Sequence, residues 1–509
     1  MRRAVAAGVA ALALALAVAA CGGDDGPEVP ATASLAPPDS VFANATVRPE
    51  GDQAEVAASA LSKLLNTDDP GAFITEQIDT ALREGDLGIT YSGDVEPWLG
   101  ESVGIFFSTL DDQPDGALIA EVTDQTAAKD AVGKMLRAQG ARAGDHEFDG
   151  VDYEVTDAGS AIGFVDEFLV LGSQPGFREA VEASRSDSLA DDESFTGEYE
   201  TVPDDALAAL YADPPSVLDR LVDAGEITER QRDETDEQLG AAADQPVIAS
   251  LDATEDSIGI QTAVGAGDGA DPEETPLLRD LPADAWLAFG ATDLGPQLGD
   301  LLDQLAGSLI TGSDPVDDAA SSLLGTGIED FTKWMGDAAG FASGTSVLGI
   351  GTALEIETTD EAASEDAIDS LLQSLQATRS VRTAPLASGE TGFSITPRGL
   401  PAQIVVVQRE GRVIVGLGDR SVDDVLEPAE TLADSEAFGA ATEALGSDYA
   451  AGLVLQFEPM LELLEGTGAT EGDPEYEAAQ PYLDHLDYLV AGRAREDDRY
   501  LARVVLGLR

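Results

Sequence analysis

The sequence predicts an α+β protein in two tandem repeats, each an antiparallel β-sheet with helices packed on one face. Three observations carry that expectation. Short runs of strand-forming residues alternate with segments whose apolar residues recur every three or four positions. Neighbouring strand-like runs are joined by short turn-rich stretches, which antiparallel pairing allows and parallel pairing does not. The whole pattern also recurs at a spacing of roughly 240 residues, the mark of an internal duplication.

Within the first repeat, residues 102–110 and 117–123 read as strands flanking the turn-rich segment 111–116 (DDQPDG). Asp124 then stands where a helix N-cap is expected, and Ala127, Ala128, Ala131, Val132, Met135 and Leu136 fall on one helical face behind it. Residues 151–155 and 162–171 return to strand character, and 177–184 to helix. A hairpin over 247–265, turning at Glu255-Asp256, closes the repeat.

The second repeat answers in the same order. Trp98-Leu99-Gly100 corresponds to Trp334-Met335-Gly336, and Thr123-Asp124 to Thr359-Asp360. The helix positions Ala127, Ala131 and Val132 map onto Ala363, Ala367 and Ile368. Leu189-Ala190-Asp191 then answers to Leu432-Ala433-Asp434, and a second hairpin over 488–506 turns at Glu496-Asp497. These matches place the repeats at 36–265 and 280–509, separated by a linker at 266–279 that opens with AGDGADPEET.

The start of the chain is a different kind of segment. Arg2 and Arg3 precede an Ala-, Leu- and Val-rich run that ends in Val18-Ala19-Ala20, the three zones of a signal peptide over residues 1–20. Cys21, preceded by small residues and followed by Gly22-Gly23, resembles the lipobox, in which the thiol carries diacylglycerol. Two or three acyl chains give stable anchoring, at roughly 0.8 kcal/mol per buried methylene. Cys21 is the one cysteine, so no disulfide forms within the chain. Residues 21–35 are expected to be the lipidated Cys and a disordered tether, with small, acidic and Pro-rich character reaching residue 38 and folding beginning near Asp39. No second apolar run is long enough to span a bilayer. The expected location is extracytoplasmic, lipid-anchored to the cell membrane.

The formal charge is −71, and cleaving a leader that holds Arg2 and Arg3 makes the remainder two charges more negative. Such a body repels nucleic-acid phosphates, so nucleic acid is not an expected partner. His146 and His485 are the two histidines and occupy non-equivalent places in the repeats, so neither is read as part of a duplicated Ser-His-Asp site, and two are too few for a zinc site with several His. Asp145-His146-Glu147-Phe148-Asp149-Gly150 imitates the start of a calcium loop, but Thr156 stands where the bidentate Glu belongs, so a turn between strands is expected. Gly349-Ile350-Gly351 and Gly416-Leu417-Gly418 lack the third glycine of a dinucleotide fingerprint. Trp98 and Trp334 are read as core anchors rather than ligand contacts. No catalytic, cofactor-binding or metal residue is assigned, and Cys21 is the one site residue.

The Pro-x-Asp-Ala opening at 282–285, the Pro97-Trp98-Leu99-Gly100 segment and the lipobox resemble the exported bacterial proteins of domain-of-unknown-function family 3352. Lys333 and Met335 replace the Pro and Leu of that segment in the second copy. The resemblance covers most of the mature chain and implies no activity and no catalytic residues. Three functions are therefore expected in order: a non-enzymatic envelope lipoprotein binding an unidentified protein or small molecule, a carrier of a lipid or other apolar ligand, and a hydrolase dependent on carboxylates or a cation. A large apolar pocket would favour the second, and a tight carboxylate cluster in a cleft the third.

Overall fold

The structure, a computed structural model, describes residues 28–48, 52–109, 114–140, 143–239, 245–265, 271–298, 331–346, 349–378, 381–386, 389–396, 402–468, 470, 472–496 and 499–509. It mixes helices and antiparallel strands in two compact units. The first holds Met1–Ala270, Arg495–Arg503 and Leu508–Arg509, and the second Asp271–Ala494 and Val504–Gly507.

The strands of the first unit are β1 (Val41–Thr46), β2 (Leu99–Phe107), β3 (Gly116–Val122), β4 (Ala143–Phe148), β5 (Val151–Thr156), β6 (Ser160–Val165), β7 (Phe168–Ser173), β8 (Ala208–Ala212), β9 (Val247–Thr254) and β10 (Ser257–Gly265). They lie in the order β4-β5-β6-β7-β3-β2-β1-β8-β9-β10, each neighbouring pair antiparallel. The helices are α1 (Asp52–Leu64), α2 (Pro70–Glu84), α3 (Gln125–Ala138), α4 (Gln174–Ala183), α5 (Glu193–Tyr199), α6 (Pro214–Asp223) and α7 (Glu229–Leu239).

Local chemistry sets several of these boundaries. Asp149 and Gly150, at φ 49° and 79°, form the two-residue turn that pairs Phe148 with Val151. The calcium-like segment is therefore a hairpin, as read. Asp166 at φ 50° makes a second such turn, so the expected strand over 162–171 is two strands, with Val165 facing Phe168. The Asp166-Glu167 pair inside an apolar run was the signal. Asp124 caps α3 as expected, accepting from the main-chain N–H groups of Thr126 at 2.9 Å and Ala127 at 3.1 Å. Asp69 does the same for α2, accepting from Ala72 N–H at 2.8 Å, with Pro70 opening the helix.

The expectation of helices on one face is corrected. Ile162 pairs with Leu171 on the side where Ala128 and Ala131 of α3 pack. Gly163 pairs with Val170 on the other side, so close to α4 that an added Cβ would stand 2.7 Å from the Phe177 ring. Strands such as Phe168-Leu169-Val170-Leu171 are apolar at successive positions, and a sheet with that content must be covered twice. Fully buried Phe42, Phe106, Phe177 and Phe195 fill this unit's core, each contributing about 1.5–3 kcal/mol. The tether expectation is corrected as well: residues Ala31–Leu35 form a 3-10 turn with Ala33 and Leu35 buried, so packing starts before Asp39. The small apolar side chains in that Pro-rich segment are what it buries.

The second unit contains β11 (Ala285–Ala291), β12 (Met335–Ser343), β13 (Gly351–Thr358), β14 (Arg382–Pro385), β15 (Gly392–Thr396), β16 (Ile404–Arg409), β17 (Arg412–Leu417), β18 (Ala450–Gln456), β19 (Leu486–Glu496) and the second half of β20 (Arg499–Leu508). Their order is β14-β15-β16-β17-β13-β12-β11-β18-β19-β20. The helices are α8 (Pro276–Asp280), α9 (Glu361–Thr378), α10 (Gly418–Leu426), α11 (Glu436–Leu445), α12 (Phe457–Gly466) and α13 (Pro474–Leu483). Its sheet too is covered twice. Val405 and Val407 join a core with Val422 and Val425 of α10, whereas Val406 joins another with Ala367 and Ile368 of α9.

Candidate functional site: an apolar cavity in the first unit

On the α3 side of the first sheet the packing is incomplete and leaves a cavity of about 320 Å³. Its floor is the sheet, through Val103 of β2, Leu118 and Ala120 of β3, and Leu169 and Leu171 of β7. One wall is α3, through Ala131, Val132 and Met135. The opposite wall is α2, whose Ile74, Ile78 and Leu82 recur every fourth residue and share one face. That face is only partly used elsewhere, where Ile74 and Ile78 pack on Leu61 of α1. Small side chains at Ala120 and Ala131 leave space between floor and wall unfilled.

The remaining wall is a single π-helical turn, Tyr91–Val95, followed by Trp98. Trp98 is tied down at both ends: its indole N–H donates to the Asp94 carbonyl at 2.5 Å, and its own carbonyl accepts from Thr123 N–H at 2.8 Å and Thr123 Oγ1 at 3.1 Å. Asp94 accepts from Lys134 of α3 at 2.5 Å and from Thr90 N–H at 2.9 Å. The Lys134 ammonium, then the Thr90 amide, hold the Asp94 carboxyl below its usual pKa. Tyr91 is fixed by Asp79, which accepts its main-chain N–H at 2.6 Å. Burial, then the Glu96 carboxylate, raise the Tyr91 phenol, and Arg48 opposes them more weakly.

Polar side-chain atoms are scarce in the lining. Thr75, Tyr91 and Trp98 are the polar residues among those that line it, the Trp98 N–H is already used, and no charged side chain takes part. A surface of this kind is chemically matched to apolar matter.

Trp98 is thus both a buried anchor, as expected, and part of the cavity lining, which was not expected. Trp334 is 2% exposed in the second unit's core, its carbonyl accepting from Thr359 N–H at 2.8 Å and Oγ1 at 3.1 Å. His146 lies on β4 against Tyr153, and His485 follows α13; neither lines the cavity. Gly351 opens β13, and Gly416 sits in β17 against Val422. Cys21 lies outside the described residues. Among the described residues no group of three or more His, Cys, Asp or Glu is placed to hold a metal. The buried carboxylates are instead paired singly with arginine: Glu355 with Arg412 at 2.7 Å, Asp252 with Arg503 at 2.6 Å and Glu198 with Arg499 at 3.1 Å. Sequence reasoning missed α1 and α2 and hence one wall of the cavity; the spacing Ile74, Ile78, Leu82 was the available signal.

Fold and site together define an α+β protein of antiparallel sheet covered by helices, with an apolar cavity between sheet and helices in its first unit. The model of a family described as a protein of unknown function, DUF3352, matches residues 74–498, and the chain belongs to that family. No curated protein matches it. Crystal forms I, III and IV of TP0453 are similar over 47–48% of this chain and 81–82% of theirs, at 9–12% identity. Their TM-score is 0.25.

Proposed function

We propose that this chain is an exported lipoprotein, held on the outer side of a membrane through Cys21, which binds an apolar ligand in the cavity of its first unit without catalysing a reaction on it. The cavity carries the reading: about 320 Å³ of space bounded mainly by aliphatic and aromatic side chains, with Thr75 and Tyr91 as its hydroxyl-bearing residues and no charged one. It moves the carrier function ahead of a general partner-binding role. The leader, Ala20-Cys21 and the following Gly-Gly support export and anchoring. No helix among the described residues is long and apolar enough to cross a membrane.

The same proposal takes the two units as copies of one repeat, 36–265 and 280–509. Strand orders β4-β5-β6-β7-β3-β2-β1-β8-β9-β10 and β14-β15-β16-β17-β13-β12-β11-β18-β19-β20 support this, as they map one onto the other without a change of neighbour. So do details of bonding. Trp98–Thr123 and Trp334–Thr359 make the same two hydrogen bonds at the same lengths. Ser188-Leu-Ala-Asp191 and Thr431-Leu-Ala-Asp434 are both 3-10 turns closed by a capping box.

Native mass spectrometry of the full-length exported protein tests the ligand. A reproducible non-covalent adduct of lipid size is expected, and it should vanish when Ala131→Phe fills the cavity. A clean apo mass under conditions that preserve the fold would defeat the reading.

A further inference from the structure

Resting on the cavity reading, we infer that the ligand is a single-chain amphiphile with an uncharged head, an alcohol or an ester, whose oxygen accepts a hydrogen bond from the Tyr91 hydroxyl, and that anionic amphiphiles of the same length are discriminated against. Three observations carry this. The volume, about 320 Å³, sits at the bottom of the range of about 300–1,000 Å³ for small-molecule sites, which suits one hydrocarbon chain and not two. The lining holds no cation, so a carboxylate or phosphate drawn inside would be a buried charge without a counter-ion. Tyr91 is the one titratable lining residue. Burial and the Glu96 carboxylate keep its proton on, leaving it a permanent donor.

The charges around this end of the cavity do not favour an anion. Arg48 already donates to the Glu96 carbonyl, the Glu96 carboxylate acts on Tyr91 more strongly than Arg48 does, and Lys134 is engaged by Asp94. Beyond them lies a chain of formal charge −71, whose field repels anions on approach.

The experiment uses the full-length protein loaded with an uncharged environment-sensitive fluorophore, N-phenyl-1-naphthylamine, and displaces it with hexadecanol, methyl hexadecanoate or hexadecanoate at about pH 8, where the acid is ionised. The alcohol and ester should bind at least about tenfold more tightly than the acid, as an unpaired charge requires. Tyr91→Phe should weaken the alcohol and ester by about three- to tenfold, the size of one hydrogen bond, each taken relative to the fluorophore's own affinity for the same variant. Hexadecanoate binding as tightly as the ester, or a Tyr91→Phe protein indistinguishable from the parent, would overturn the inference and leave the cavity reading standing. Failure to take up the fluorophore or any of the three competitors would overturn both.

Discussion

Glu355 is fully buried on β13, and it shows how a single side chain can make this fold sensitive to pH. Oε2 accepts from Arg412 at 2.7 Å, but Oε1 has no hydrogen-bond partner among the described residues. Loss of hydration outweighs the pull of Arg412, and Asp280 and Glu357 push the same way, so the pKa rises from 4.5 to about 7. Because the folded value lies above the unfolded one, the folded state holds this proton across the interval in which the unfolded chain releases it. The stabilisation is complete below pH 4.5 and is lost as pH rises through about 7. At 1.36 kcal/mol per unit the loss reaches about 3 kcal/mol at most. Titration of the other carboxylates is common to parent and variant, so the test is a difference. Between pH 4.5 and 7.5, urea unfolding should show Glu355→Gln gaining up to about 3 kcal/mol on the parent, and a constant difference would mean that the carboxyl is ionised throughout.

Helix α3 was legible because its signals are local. Asp124 precedes a run with one apolar face, and both the cap and the face are found in place. Asp124→Ala leaves the amides of Thr126 and Ala127 without their acceptor and should cost about 1 kcal/mol, within about 0.5–2. Since Ala131, Val132 and Met135 of this helix bound the cavity, the same variant should speed ligand release; chemical denaturation and probe dissociation rates measure the two effects, and a loss of stability with an unchanged release rate would separate the helix terminus from the site. Helices α1 and α2 were harder to read, because Ala57, Ala60 and Ala72 dilute the apolar stripe and Asn66 to Asp69 breaks it. The second covering layer of helices leaves no local mark for a related reason: in a continuous apolar strand both parities are apolar, and nothing in the strand itself says what each packs against. The cavity itself was not legible. Leu118, Leu169 and Leu171 are the residue types that fill cores elsewhere in this chain, and whether a gap remains above them depends on the sizes of Ala120 and Ala131 and on where α2 lands. Those are tertiary quantities with no local periodicity.

At the scale of the whole chain, charge imbalance dominates. Ninety-eight Asp and Glu stand against 27 Lys and Arg, so most carboxylates have no cation to meet, and compaction brings like charges together. Salt acts on two opposed terms. It weakens exposed pairs such as Arg185 with Asp149 and Arg409 with Glu390, each worth about 0–1 kcal/mol. It also screens the repulsion among the excess carboxylates, over a Debye length that shrinks from about 30 Å at 0.01 M to about 10 Å at 0.1 M. The number of basic residues limits the first term, and the second involves many more groups, so screening should win. Raising NaCl from about 0.01 to 0.5 M at neutral pH should therefore raise Tm by several degrees, given about 2–4 °C per kcal/mol for units of this size. Scanning calorimetry in a monovalent salt measures this without recruiting divalent ions. A Tm that falls with salt would mean that local ion pairs outweigh the net repulsion and that the excess carboxylates are far enough apart to ignore one another.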